Sequence, residues 1–145
     1  EVDRQISDSK ESANVMRDTE AAFGADFAAT QTIQAAIAET ELQQKLAATL
    51  HDTLEECSRK GMLLTVNSGV NDPAIAAKLE AYNEAYLEYT KISKSAGAKN
   101  PIAVALREQM SATLRAARTT LENYRKNLDL QLAEQKTNLR NCAPA

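Results

Sequence analysis

The sequence predicts an all-α fold: an elongated antiparallel coiled-coil hairpin or a slender three- to four-helix bundle. Three observations carry that expectation. Aromatic residues make up 4% of the 145 residues, with no Trp, while charged residues reach 26%; the apolar remainder is mostly Ala and Leu, which favour helix and suit thin helix-to-helix seams. Helix stop and start signals recur in pairs along the chain. Between them, apolar residues fall at intervals of three and four.

The first predicted helix covers about 1–60. Val2, Ile6, Ala13, Met16, Phe23 and Phe27 sit on one heptad-like face, and Ile33, Ile37, Leu42, Leu46, Leu50 and Leu54 follow on a drifting stripe. The drift falls near Gly24, where a break or kink is one option; an interior glycine costs only ~1 kcal/mol, so an unbroken helix is the other. Arg59-Lys60-Gly61 reads as a stop, with two cations at the negative helix end and a glycine cap.

Met62-Leu63-Leu64-Thr65-Val66 has some strand character but is too short for a sheet, and Asn67, Ser68 and Gly69 are loop signals, so an extended connector is expected. Asp72-Pro73 starts a second helix, over about 73–95, with Asp72 as N-cap and Pro73 at the first helical position. Its Ile75, Leu79, Tyr82, Tyr86 and Tyr89 are spaced 4, 3, 4 and 3, an a/d seam. Lys94 and Gly97 end that helix and Asn100-Pro101 open a third, over about 101–141, with Leu106, Met110, Leu114, Ala117, Leu121, Tyr124 and Leu128 in register. At ~1.5 Å per residue the third helix would span ~60 Å. The seam is assigned to Leu79, Tyr82, Tyr86, Leu106, Leu114 and Leu121. Asn100-Pro101 is either a hairpin reversal or a kink in one descending arm. A Cys57–Cys142 disulfide would separate these, because a two-arm hairpin places the two cysteines at opposite ends.

No residue set satisfies the rules for catalysis or metal binding. His51 is the sole histidine and lies beside Asp52 on a polar stretch; an acid–base or metal site needs further convergent groups. Glu39, Glu41, Glu55, Glu56, Glu80 and Glu84 do not make a di-iron bundle, which wants a Glu-x-x-His element on two helices. They read as a solvated face, with Glu122 and Lys126 an attractive i,i+4 pair. Four glycines form no phosphate loop. Tyr82, Tyr86 and Tyr89 read as seam rather than as a recognition patch or phosphorylation sites. No catalytic residue, cofactor or metal is assigned. Net charge is −3 with both signs interspersed, and no basic stripe with aromatics marks a nucleic-acid partner. No apolar run approaches the ~20 residues of a membrane span. The chain starts at Glu1 and ends at Ala143-Pro144-Ala145, which predicts a single helical region, 1–145, excised from a larger protein.

Gly69-Val70-Asn71-Asp72-Pro73, then Tyr82-Asn83-Glu84 and Leu87, then Ser95, Asn100-Pro101, Leu106 and Gln109, followed by Ala143-Pro144 near the end, are similar to a pattern in the polysaccharide co-polymerases. These are the chain-length determinant proteins, often fused to a bacterial tyrosine autokinase (Wzc-like). The resemblance covers roughly residues 63–145; residues 1–62 fit only as generic coiled coil. The family's membrane-proximal α/β portion with two transmembrane helices, and its cytosolic kinase, are not in this sequence.

The resemblance implies the periplasmic helical region of a Gram-negative inner-membrane protein that oligomerises and governs export and chain length of capsule or exopolysaccharide. This segment would be a non-enzymatic scaffold contacting neighbouring protomers, and an outer-membrane exporter or the glycan. The partner-contact candidates are the loops around Met62, Leu63, Asn67 and Gly69, and around Gly97 and Asn100. The alternative is the α-hairpin of a periplasmic adaptor of an efflux or secretion system. No nucleic acid, cofactor or membrane insertion is expected of this segment.

Overall fold

The structure, a computed structural model, describes the backbone of residues 2–64 and 68–142, and the side chains of residues 24, 26–64 and 68–142. It is all-α. Three helices follow in order: α1 (Val2–Lys60), α2 (Pro73–Ala96) and α3 (Pro101–Cys142); the described residues contain no strand. Helix α1 continues through Gly24 without interruption. The expected face at Val2, Ile6, Ala13, Met16 and Phe23 falls outside the described side chains. The chain divides into two compact units, one of residues 1–39 with 132–145 and one of residues 40–131.

In the unit of residues 1–39 and 132–145, Thr30, Ile33, Ala36 and Ile37 on α1 are half-buried, as are Leu132, Gln135, Leu139 and Cys142 on α3. Thr30, Ile33 and Ile37 are spaced 3 and 4, with Ala36 beside them, and the α3 set is spaced 3, 4 and 3, the spacing of a narrow two-helix seam. Phe27, expected on the α1 face, is 57% exposed.

In the unit of residues 40–131 the core is built on three heptad stripes. On α1 these are Thr40, Gln43, Ala47, Leu50, Leu54 and Cys57, spaced 3, 4, 3, 4 and 3. On α2 they are Ile75, Leu79, Tyr82 and Ala85, and on α3 Ala103, Met110, Leu114, Ala117, Leu121 and Leu128. The expected α1 stripe holds at Leu50 and Leu54, which are buried, and departs at two positions: Leu42 is 48% exposed and Leu46 only half-buried, while polar Gln43 and small Ala47 face inward.

Side-chain bonds fix the direction of each helix. Gln43 and Gln44 on α1 bond Tyr124 and Asp129 on α3, and Glu55 pairs with Arg118, so α3 runs antiparallel to α1. Gln43 bonds the backbone of Asn71 just before α2, and Cys57 meets Tyr82 within it, so α2 runs parallel to α1. Asn100-Pro101 is therefore a reversal, and residues 40–131 take the three-helix form.

The parallel arrangement requires residues 61–72 to travel back along α1. Seventeen residues of helix rise ~26 Å, within the ~40 Å reach of twelve extended residues. The turn-out is made at Gly61, whose φ of 60° lies in the left-handed region and whose N–H caps the Cys57 carbonyl at 2.8 Å. Asp72 and Asn100 cap α2 and α3, accepting from Ala74 N and Ile102 N at 2.9 Å each.

Candidate functional site

The connector is tied down at both ends by side-chain amides. Near its start, Asn83 of α2 accepts from Leu64 N and donates to Leu64 O, both at 2.8 Å, so one amide satisfies both backbone groups of a connector residue. Leu64 itself is buried in the core. Near its end, Gln43 of α1 donates to Gly69 O at 3.2 Å, and its Oε1 accepts from Asn71 N at 2.9 Å and from the Tyr124 hydroxyl at 2.6 Å. Gln43 is buried, and both its amide nitrogen and its oxygen have partners, as a polar core group requires. Gly69 has φ of 77°, and a Cβ there would meet Leu46 Cδ1 at 3.2 Å; only glycine lets the strap lie this close.

Beside the connector's start, where α1 ends, a cleft of about 560 Å³ opens between that end and the α2–α3 pair. Its apolar floor includes Cys57, Met110 and Leu114, one wall carries Tyr82, Tyr86 and Tyr89, and Lys60, Arg107, Arg115 and Arg118 also line it. No Asp, Glu or His is among the lining residues. Two of the cations are engaged from outside the cleft, Lys60 by Glu56 at 3.1 Å and Arg118 by Glu55 at 3.2 Å. The Arg118 contact is an ion pair by distance only: Nε is buried without an aligned hydrogen bond. Arg107 and Arg115 are exposed and have no acidic partner among the described residues.

The tyrosines sit at different depths. Tyr82 is buried and stacks on Tyr86 at a centroid separation of 6.3 Å and 28° between planes. Cys57 Sγ lies 3.0 Å from Tyr82 Oη and 3.2 Å from the Met62 carbonyl. A single S–H cannot serve both, so the thiol donates to the carbonyl and the phenol donates to sulfur. Burial pushes the Tyr82 phenol well above its ordinary value, helped by the bond to Cys57 and by the neighbouring Cys57 and Tyr86. Tyr86 and Tyr89 remain half-buried, with ring surface toward the cleft.

The other sequence-derived residues are placed as follows. Leu79, Leu114 and Leu121 are buried and Leu106 is half-buried. Met62 is half-buried against the core; Leu63, Gly69 and Gly97 are exposed; Asn100 is half-buried as a cap; Asn67 lies outside the described residues. The segment around Met62 and Gly69, expected as a partner-contact loop, is thus largely pinned to the helices. His51 is exposed, 3.4 Å from Asp52 and 3.9 Å from Glu55. The Lys126–Glu122 pair forms at 3.3 Å. Cys57 and Cys142 are both free. Among the described residues no group of three or more His, Cys, Asp or Glu could hold a metal ion, and no helix is long and apolar enough to cross a membrane.

The basic cleft was not anticipated. Interspersed charges along the chain sort into a cationic strip only when folded, although Arg107, Ser111, Arg115 and Arg118, spaced 4, 4 and 3, lie on one helical face. Comparison with known protein families, with curated proteins and with solved structures finds no match.

Proposed function

We propose that this chain is the periplasmic helical scaffold of a polysaccharide co-polymerase, part of a Gram-negative inner-membrane protein that controls export and chain length of a capsule or exopolysaccharide. In this reading the segment mediates oligomerisation and partner contact and carries no catalysis of its own; any tyrosine autokinase lies elsewhere in the full-length protein. The partners are other protomers, and an outer-membrane exporter or the glycan.

One observation supports the reading above others. Several of the residues that carry the resemblance hold the bundle together. Gly69 admits the close approach to Leu46, Asn71 is held by Gln43, Asp72 and Asn100 cap helices, and Asn83 clamps Leu64. A motif in which these five members do architectural work fits a scaffold. The α-hairpin of an efflux or secretion adaptor needs only two arms, and the third helix with its pinned connector favours the first reading.

The test is genetic. Deleting the segment for residues 1–145 in the host should alter the length distribution or amount of surface polysaccharide, and cross-linking of the full-length protein in membranes should trap oligomers that the deletion loses. Unchanged polysaccharide overturns the proposal.

A further inference from the structure

Building on that reading, we propose that the cleft at the end of α1 binds a segment of acidic oligosaccharide, with Arg107 and Arg115 taking its carboxylates and Tyr86 and Tyr89 meeting the faces of its sugar rings. The chain carries a net charge of −3, yet this cleft gathers four cations and no carboxylate. Two of those cations already stand within ion-pair distance of Glu55 and Glu56, which leaves Arg107 and Arg115 without an acidic partner among the described residues. They stand eight residues apart on α3, ~12 Å along the axis, with Ser111 between them on the cleft wall. That span exceeds a single small anion and suits a ligand bearing more than one acidic group.

Guanidinium groups bind carboxylates in a planar, two-point fashion. The half-buried rings of Tyr86 and Tyr89 line the cleft and combine flat apolar surface with a polar hydroxyl, which suits a ligand apolar on one face and wet on the other. The volume of about 560 Å³ lies within the range of small-molecule sites. A phosphate polymer would meet the same arginines, and the oligonucleotide and phosphate probes below separate it from a carboxylate-bearing sugar.

The experiment is titration calorimetry on the whole chain with four probes: tetragalacturonate, maltotetraose, a four-nucleotide DNA and inorganic phosphate. Saturable binding is expected for tetragalacturonate. It should weaken by about tenfold or more in Arg107→Gln/Arg115→Gln, and persist in the equal-charge control Arg59→Gln/Lys99→Gln. All four sites are exposed, and circular dichroism melts verify that each variant folds. The proposal is overturned if tetragalacturonate does not bind, if maltotetraose, the oligonucleotide or phosphate binds as tightly, if the control loses as much as the cleft variant, or if the cleft variant changes only self-association measured by sedimentation. Absence of tetragalacturonate binding with altered polysaccharide in the deletion strain removes the cleft assignment and leaves the scaffold reading standing. Binding with unaltered polysaccharide removes the scaffold reading, and with it the biological role on which the cleft assignment rests.

Discussion

Asn83 holds Leu64 by both of its backbone groups, 2.8 Å to the nitrogen and 2.8 Å to the oxygen. The amide imitates a neighbouring strand for one residue of the connector, and the Leu64 side chain is thereby directed into the core. Asn83→Ala should lower stability by ~2–3 kcal/mol, the loss of two part-buried hydrogen bonds whose partners stay desolvated. Asn83→Asp keeps the acceptor for Leu64 N but sets a carboxylate against Leu64 O, so it should also destabilise. Urea unfolding of both variants checks this.

Gln43 joins three parts of the bundle: α1, the end of the connector and α3. Gln43→Leu should cost ~2 kcal/mol or more, since Gly69 O, Asn71 N and the Tyr124 hydroxyl all lose a partner. Tyr124→Phe alone should cost ~1 kcal/mol, and the double variant less than the sum. A double-mutant cycle showing additivity would refute the direct coupling.

Leu54 and Leu42 belong to the same sequence stripe but differ in exposure, 0% against 48%. Leu54→Ala should destabilise by ~2–5 kcal/mol, through lost transfer energy and the cavity left behind. Leu42→Ala should stay within ~0.5 kcal/mol. Equal effects in thermal melts would contradict the observed register.

Alkali should weaken the fold through Tyr82. Its phenol is raised above the ordinary value of 10.0, so above about pH 10 the unfolded chain releases this proton while the folded chain retains it. The unfolded state then binds fewer protons, and stability falls with rising pH; below that value the contribution is constant. Tyr82→Phe should be less stable than wild type near neutrality, having lost the bond to Cys57, but should lose less on going from about pH 8 to about pH 11. Parallel slopes for the two proteins would dismiss Tyr82 as the source.

The helices were legible because their ends are chemically marked. Asp72-Pro73, Asn100-Pro101 and Lys60-Gly61 each announce a boundary locally, and the structure places helix ends at those positions. The seam of α3 was legible for the same reason, its leucines recurring without interruption. The α1 seam was legible at Leu50 and Leu54 but not further up, because an inward position taken by Gln43 looks polar until its three partners, up to 81 residues away, are known. Nor could local reading give the direction of α2. A connector that folds back along a helix and one that turns tightly have similar composition, and the difference lies in Asn83 and Gln43, neither of them in the loop. The arginines of the cleft were hidden differently: Arg107, Arg115 and Arg118 are scattered along α3, and only the helical face and the packing of Tyr86 and Tyr89 opposite gather them into one site.

The meeting of Gln43 with Tyr124 also bears on how the molecule assembles. An up-and-down bundle forms from neighbours along the chain, whereas this one must close a separation of 81 residues before its polar hub is satisfied. High contact order slows folding, so refolding of this bundle should lag behind that of a simple helical hairpin of equal length. The connector, held by side chains from two different helices, should be the last piece to dock and the first to show hydrogen exchange.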